Sequence, residues 1–277
     1  MKNIRVERDG AVGVLTIDRR ERMNSLDVET AQDFRKAGLG LARDESVRAV
    51  VLRGTGGVFC SGADLKYIRV GGDRSELGYL TPGARDVPRG YGEIFKQILE
   101  YIHGTISEIR RSPKPWIAAV DGVAAAGGLG IAMSCDLVAA SERATFEWAY
   151  TKTGLTGAES STFFLPRILG LRGALEMLLL NPRLDARDAR DRGLVNIVYS
   201  NADFESEVTE LARRLAAGPT RAYAIAKALM NQAAGVDRLD HHLDLELDNL
   251  ARIADGADFA EGIAAFFEKR APRFEGK

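Results

Sequence analysis

The chain has 277 residues, of which 45% are hydrophobic and 28% are charged, and its formal net charge is −1. A chain of this length buries roughly three-quarters of its unfolded surface, which suits one large domain or a domain with a helical extension. The near-neutral charge argues against nucleic acid and anionic membranes as partners, since both favour a basic face.

Cysteine usage and hydropathy indicate a protein of the reducing cytoplasm. Cys60 and Cys135 lie far apart, without the spacing of a disulfide framework or a zinc site. No apolar run approaches the roughly 20 residues of a membrane span, and the first ten residues lack the apolar stretch of a signal peptide. We therefore expect a cytoplasmic protein that contacts no membrane and holds no metal.

The first predicted elements are two short strands and a helix. Residues 4–19 read as strands around the turn signal Asp9-Gly10, and Asp27 is a suitable N-cap for the helix that follows. Residues 47–64 are β-rich and closed by glycines, and a strand–glycine–helix pattern returns later in the chain. Such repeated units predict an α/β fold of stacked ββα turns around one core, entirely helical from about Asp203 onward.

Residues 69–92 break this pattern, since they are rich in glycine, proline and arginine and read as one long loop. Loops of this length in a compact domain are usually lids, binding loops or disordered segments. The sequence leaves a lid over a site and plain mobility as equal alternatives.

Two segments, residues 56–65 and 121–136, combine an apolar strand with small residues and the start of a helix. Glycine lets a substrate approach the backbone closely, and the first N–H groups of a helix have no partner within it. Two such N–H groups that converge would bind an oxyanion, aided by the positive end of the helix dipole. Corners of this composition also serve packing alone, so each segment by itself leaves both alternatives open.

Several motifs occur in the order found in the crotonase superfamily: FCSGADL, KPWIAAVDGVAAAGGLGIAMSCDLVAASERATF, LPRILG and EGIAAFFEKRAPRF. The chain therefore resembles the enoyl-CoA hydratase/isomerase family over nearly its whole length. The resemblance implies a crotonase-like spiral of repeated ββα units over residues 1–202. It also implies that residues 203–277 form a helical region for oligomerisation, as a homotrimer or a dimer of trimers, which closes the CoA site.

By the same resemblance, the substrate is an acyl-CoA thioester whose carbonyl oxygen accepts from the backbone N–H groups of Ala63 and Gly127. No cofactor is implied beyond the coenzyme A of the substrate. The residues implied in CoA binding are Arg22, Met23, Lys66, Phe266 and Lys269. Basic side chains suit the phosphates of CoA. Phe266 and Lys269 belong to the C-terminal helix of the same or a neighbouring subunit.

Hydration of an enoyl thioester needs two carboxylates around one water, and the resemblance places both at positions that are not acidic in this chain. Gly130 stands at the first position and Tyr150 at the second. A glycine transfers no proton, and a tyrosine with a pKa near ~10 is a poor base at neutral pH. The usual two-glutamate hydration is therefore not expected.

Other branches of the superfamily, the enoyl- and dienoyl-CoA isomerases and 4-chlorobenzoyl-CoA dehalogenase, have an aspartate at the start of the next helix. The resemblance puts that position at Ala158, one residue before Glu159. His103 falls on the active-site histidine of the dehalogenase branch, and Tyr150 on an aromatic residue of its aryl pocket. One residue in a helix is about 100° of rotation, so Glu159 is either a pocket acid or an ordinary first-turn acid.

The leading hypothesis is an acyl-CoA enzyme in which Ala63 and Gly127 hold a thioester enolate. Glu159, or His103 with a water, is its single acid/base, and one such group favours isomerisation. One alternative is an enoyl-CoA hydratase, or a thioester or C–C hydrolase, with an atypical acid/base. Another is a catalytically idle scaffold that binds acyl-CoA.

Overall fold

The computed structural model describes residues 1–73 and 90–277, so most of the predicted 69–92 loop, with any lid it would form, lies outside the described residues. The strands are β1 (Ile4–Asp9), β2 (Val12–Ile17), β3 (Ala49–Gly54), β4 (Val58–Cys60), β5 (Trp116–Val120), β6 (Val123–Ala125), β7 (Leu137–Ser141), β8 (Thr145–Glu147), β9 (Leu184–Asp185) and β10 (Ile197–Tyr199). The helices are α1 (Val28–Arg43), α2 (Leu65–Arg69), α3 (Tyr91–Arg111), α4 (Gly127–Ser134), α5 (Ser161–Leu180), α6 (Ala186–Asp191), α7 (Phe204–Ala217), α8 (Thr220–Ala233), α9 (Leu239–Ala254) and α10 (Ala257–Glu268).

The predicted start of the chain is confirmed. Strands β1 and β2 pair antiparallel across Asp9 and Val12, and Gly10 takes the left-handed conformation that this turn requires, with φ +56°. The Asp27 carboxylate accepts from the Thr30 N–H at 2.8 Å and so caps α1.

From β3 to β8 successive strands alternate between two sheets, which produces the predicted spiral of ββα turns. The larger sheet has the order β1-β2-β3-β5-β7-β10 and is parallel from β2 onward, whereas the smaller has the order β4-β6-β8-β9. The pairs β3–β4, β5–β6 and β7–β8 each place one strand in each sheet, and a helix follows every pair. Each pair therefore ends at a strand-to-helix corner on the smaller sheet.

The main hydrophobic core lies between the two sheets and helices α1, α3 and α9, and Trp116, Phe34 and Phe146 are buried in it. A second core forms where α7 packs Phe204 and Leu211 on the other face of the larger sheet. All elements after Asp203 in the described part of the chain are helical; the domain boundary at 202/203 stays a prediction.

Helix α9 lies along α3 and so carries C-terminal side chains into the core of the spiral. Of the helices in residues 1–73 and 90–277, none is both long enough and apolar enough to cross a membrane.

Candidate active site

The two glycine-rich corners meet at Gly62 and Gly127. Gly62 has φ +91°, and a Cβ on it would lie 2.8 Å from the Ala126 Cβ and 3.1 Å from the Gly127 backbone nitrogen. Only glycine allows this approach, which brings the neighbouring Ala63 close to the first residue of α4.

The backbone N–H groups of Ala63 and Gly127 are both free to bind a ligand. Neither donates to an acceptor within the part of the chain that the structure describes. Ala126, which precedes α4, has the unusual backbone angles φ 47° and ψ −120°, and such strain is typical of functional sites. Gly127 is the N-terminal residue of α4, so the helix dipole adds positive potential at its N–H.

The Glu159 carboxylate lies beside Gly127 and lines the same cavity as Ala63. Its Oε1 would be 2.7 Å from a Cβ placed on Gly127, and the residue is only 3% exposed. Glu159 therefore faces the cavity between the two corners. Ala158, which precedes it, is fully buried and accepts the Ser161 N–H at 3.0 Å.

Gly130, where the resemblance expects the first hydratase acid, lies against the Glu159 backbone. A Cβ on Gly130 would lie 2.2 Å from the Glu159 carbonyl oxygen and 2.9 Å from its Cβ. The space that a side chain at position 130 would occupy is thus filled by residue 159. Glycine at position 130 therefore leaves the room that Glu159 occupies.

Tyr150, from the 3-10 helix Tyr150–Thr153, donates its hydroxyl hydrogen to Glu159 Oε2. This bond leaves Oε1 directed toward Gly127. Burial raises the pKa of Glu159 to about 7, the Tyr150 hydrogen bond opposes that rise, and the charge of Glu246 adds to it. Burial also raises the pKa of Tyr150 well above its usual value, so its hydroxyl stays a neutral donor.

His103, on α3, lies behind Glu159. Its Nε2 accepts the Glu159 backbone N–H at 3.1 Å, and the histidine is 6% exposed. Burial lowers the pKa of His103 to about 3, and a hydrogen bond to the Leu243 backbone opposes that fall. The ring is therefore neutral, with its acceptor nitrogen already used by the backbone.

Glu246, on α9, is a site residue that the sequence reasoning missed. It is 4% exposed, and its two oxygens accept the Ser160 N–H at 2.8 Å and the Thr162 N–H at 2.9 Å. A signal was present: Glu246 is three residues after Leu243 and four before Leu250, on the apolar stripe of an amphipathic helix. An acid on such a stripe needs buried partners.

A cavity of about 450 Å³ connects these groups with most of the residues predicted to bind CoA. Arg22, Met23, Lys66 and Phe266 all line it. Lys269 is exposed just after α10, outside the cavity wall.

The cavity wall is largely apolar, and Phe95, Leu155, Leu250 and Tyr150 are among the residues that line it. A second carboxylate, Asp64, also lines the cavity. It is held by Arg19 Nη1 at 2.8 Å and caps α2 through the Lys66 and Tyr67 N–H groups at 3.0 Å. Asp64 is thus engaged in holding the corner that carries Ala63.

The sequence profile of the family described as enoyl-CoA hydratase/isomerase matches residues 7–82 and 94–277. The chain is 35% identical to 4-chlorobenzoyl coenzyme A dehalogenase-2 of an Arthrobacter species over 96% of this chain and 91% of that protein. It is 34% identical to the 1,2-epoxyphenylacetyl-CoA isomerase of Escherichia coli K12, over 96% of this chain and 95% of that protein. The crystal structure of an enoyl-CoA hydratase from Mycobacterium avium subsp. paratuberculosis K-10 superposes with a TM-score of 0.84 at 32% identity, covering 99% of this chain and 98% of that one.

Proposed function

Because the chain belongs to the enoyl-CoA hydratase/isomerase family, we propose that it shifts a double bond in an acyl-CoA thioester, with Glu159 as its single acid/base. The observation that carries the proposal is the position of Glu159 Oε1 beside Gly127, in the cavity where two backbone N–H groups are free. An acid at this place can reach the carbons next to a thioester carbonyl that the N–H groups hold.

The Ala63 and Gly127 N–H groups form the oxyanion hole of the proposed reaction. Glu159 takes a proton from the carbon next to the thioester carbonyl, and the electron pair of that C–H bond moves onto the carbonyl oxygen. The two N–H groups stabilise the resulting enolate, and each such donor typically contributes about 3–4 kcal/mol to the lowering of the barrier. Glu159 then returns the proton to the far carbon of the conjugated system, which completes the shift without loss or gain of atoms.

Two features favour isomerisation over hydration. Among the described residues that line the cavity, Glu159 is the one carboxylate that is not engaged by an arginine, because Asp64 is held by Arg19. A pKa of about 7 lets Glu159 both accept and release a proton near neutral pH. Hydration would need a second group to hold and split the water.

The remaining assignments follow from the same arrangement. Arg22 and Lys66 supply positive charge for the CoA phosphates, with Met23 and Phe266 in contact with the rest of CoA. Lys269 extends this charge at the cavity mouth. His103 is the alternative acid/base, but its buried, occupied Nε2 supports a role behind Glu159 instead.

We further propose that the chain acts in the cytoplasm as a homotrimer or a dimer of trimers. Helices α5 and α8 expose large apolar side chains, which is unusual for a monomer and suits contact between copies. The most exposed of them are Leu171, Leu179, Leu180, Ile225, Leu229 and Met230.

The test compares wild type with Glu159→Gln on crotonyl-CoA, a 3-enoyl-CoA and a panel of aryl-CoA thioesters. We expect wild type to interconvert 3-enoyl and 2-enoyl thioesters, and the variant to lose about 10²- to 10⁴-fold in kcat, the usual contribution of an acid/base. Glu7→Gln, on the exposed face of β1, is the matched control and should keep full activity.

Undiminished turnover in Glu159→Gln would remove Glu159 from the mechanism. Water addition to crotonyl-CoA by wild type would instead support a hydratase with an atypical partner. CoA binding without turnover of any thioester would support an idle scaffold.

A further inference from the structure

The turn that carries Glu159 has an uncommon backbone conformation. Glu159 has φ 50° and Ser160 has φ 65°, so two consecutive residues other than glycine lie in the left-handed region. This conformation is unfavourable for residues other than glycine and persists only where the surroundings hold it. The turn therefore depends on contacts outside itself.

Two buried side chains from distant helices supply those contacts. His103 on α3 accepts the Glu159 N–H at 3.1 Å, and Glu246 on α9 accepts the Ser160 N–H at 2.8 Å. Glu246 also accepts the Thr162 N–H at 2.9 Å, and so caps the first turn of α5. The two side chains are close to each other, with His103 Nε2 3.8 Å from Glu246 Oε2.

We propose that Glu246 and His103 are positioning residues, which hold the Glu159–Ser160 turn so that the Glu159 carboxylate stays beside Gly127. This inference rests on the proposed role of Glu159 as the acid/base. Neither Glu246 nor His103 lines the cavity, so each acts through Glu159 and not on the substrate.

The pair also controls the charge around Glu159. From α3, His103 faces Glu246 as a neutral ring. From α9, His242 Nε2 lies 3.8 Å from Glu246 Oε1, and burial lowers the pKa of His242. From the turn and the 3-10 helix, Glu159 and Tyr150 feel the Glu246 charge, which raises the pKa of both. Burial raises the pKa of Glu246 itself to about 7, and the hydrogen bonds from Thr162 and from the Ser160 N–H oppose that rise, so the two buried carboxyls titrate in the same pH range.

The first experiment is Glu246→Gln, measured with the 3-enoyl-CoA that wild type is expected to convert. The amide has one oxygen, so one of the two N–H groups faces an amide NH₂ group instead, and the turn loosens. We expect kcat to fall about 10- to 100-fold, as for a small displacement of a catalytic group, with KM nearly unchanged. Removing the negative charge should also lower the pKa of Glu159, so the acidic limb of the kcat/KM profile should move to lower pH.

Asp244→Asn is the matched control, since Asp244 is an exposed acid on the same helix. It should change neither kcat nor the pH profile. Thermal unfolding of both variants checks the fold, and a loss of kcat that came from general destabilisation would leave the acidic limb where it is.

A second pair of variants decides the matter if Glu246→Gln does not fold. The amide oxygen of His103→Gln can accept the Glu159 N–H, whereas His103→Phe has no acceptor. The inference expects His103→Gln to keep most of kcat and His103→Phe to lose it at nearly unchanged KM. Equal activity of these two variants would overturn the role of His103.

Crystal structures of Glu246→Gln and Asp244→Asn separate this inference from the proposed function, since they need no turnover. We expect Glu159 to leave its place beside Gly127 in the first and keep it in the second. A Glu246→Gln structure with Glu159 in its original place, or an unchanged kcat, overturns the positioning role. Full activity in Glu159→Gln overturns the proposed function instead and leaves the structural comparison standing.

Discussion

The two sides of the cavity are built in different ways. The N–H side consists of backbone at two strand-to-helix corners, where Gly62 and the start of α4 touch. The acid side is the Glu159 side chain on a left-handed turn. That turn is held by His103 and Glu246, which are 56 and 86 positions away in the sequence from the N–H groups they accept. The N–H side depends on small residues at the corners themselves. The acid side depends on side chains of α3 and α9, which are distant in the sequence.

This difference explains which part of the site can vary. A backbone donor cannot move to another position without a new corner, because its direction is set by the chain itself. A carboxylate can reach the same space from several elements. In this protein residue 159 fills the space beside Gly130, so a carboxylate reaches the cavity from the turn before α5 and not from α4.

Breaking the N–H side should have the largest effect. In Gly127→Ala the added Cβ would lie 2.7 Å from Glu159 Oε1, so the carboxylate or the N–H must shift. We expect kcat to fall about 10²- to 10³-fold, as for the loss of one oxyanion donor, measured with a thioester that wild type converts. Gly40→Ala on α1 is the control, since a Cβ there meets nothing within 4 Å. A Gly127→Ala enzyme with wild-type kcat would contradict the oxyanion assignment.

The cost of burying the acid is the next largest effect. The folded-state pKa of Glu159, about 7, lies above the ordinary 4.5. The folded state favours the neutral carboxyl of Glu159. Its contribution to the free energy of unfolding is therefore complete below pH 4.5 and is lost as the pH rises through 7. Glu159→Gln does not ionise and still offers Tyr150 an acceptor, so it should be more stable than wild type at about pH 8, by roughly 3 kcal/mol.

Urea unfolding of both proteins at about pH 5 and pH 8 measures this difference. Glu246 is present in both proteins, so its own burial cost cancels, and the difference reports Glu159 together with its interaction with Glu246. A stability difference that does not grow with pH would show that Glu159 has an ordinary pKa in the folded protein.

Removing one hydrogen bond on the acid side should have the smallest effect. Tyr150→Phe deletes the donor to Glu159 Oε2, which holds down the pKa of that carboxyl. We expect the acidic limb of the kcat/KM profile to move about one to two units to higher pH, since a hydrogen bond to a charged group contributes about 1.5–3 kcal/mol. Tyr199→Phe, on β10, is the control. A limb that stays in place would mean that Tyr150 does not bind the ionised form.

Much of the fold was predictable from the sequence, because its signals are local. The Asp9-Gly10 turn, the Asp27 cap and the repeated strand–glycine–helix corners each depend on a few neighbouring residues. Glycine marks each of the two strand-to-helix corners in the sequence, whereas the approach of Gly62 to Gly127 is a long-range contact that the tertiary structure supplies.

The direction of Glu159 was not predictable in this way. On a regular helix, one residue past Ala158 is a rotation of about 100°, which leaves the side chain inside or outside the pocket. The structure has no helix at that point, because Glu159 and Ser160 are left-handed. His103 on α3 and Glu246 on α9 accept the two backbone N–H groups of that turn, and we propose that these hydrogen bonds help to sustain the conformation against its strain.

The sequence by itself thus determined the α/β spiral and the backbone corners, since propensity, capping and glycine chemistry act between near neighbours. The tertiary structure decided that Glu159 enters the cavity, that Gly130 leaves room for it, and that Glu246 is buried beneath it. These depend on long-range packing, where the free energy of one strained turn is offset by acceptors that the local sequence does not contain.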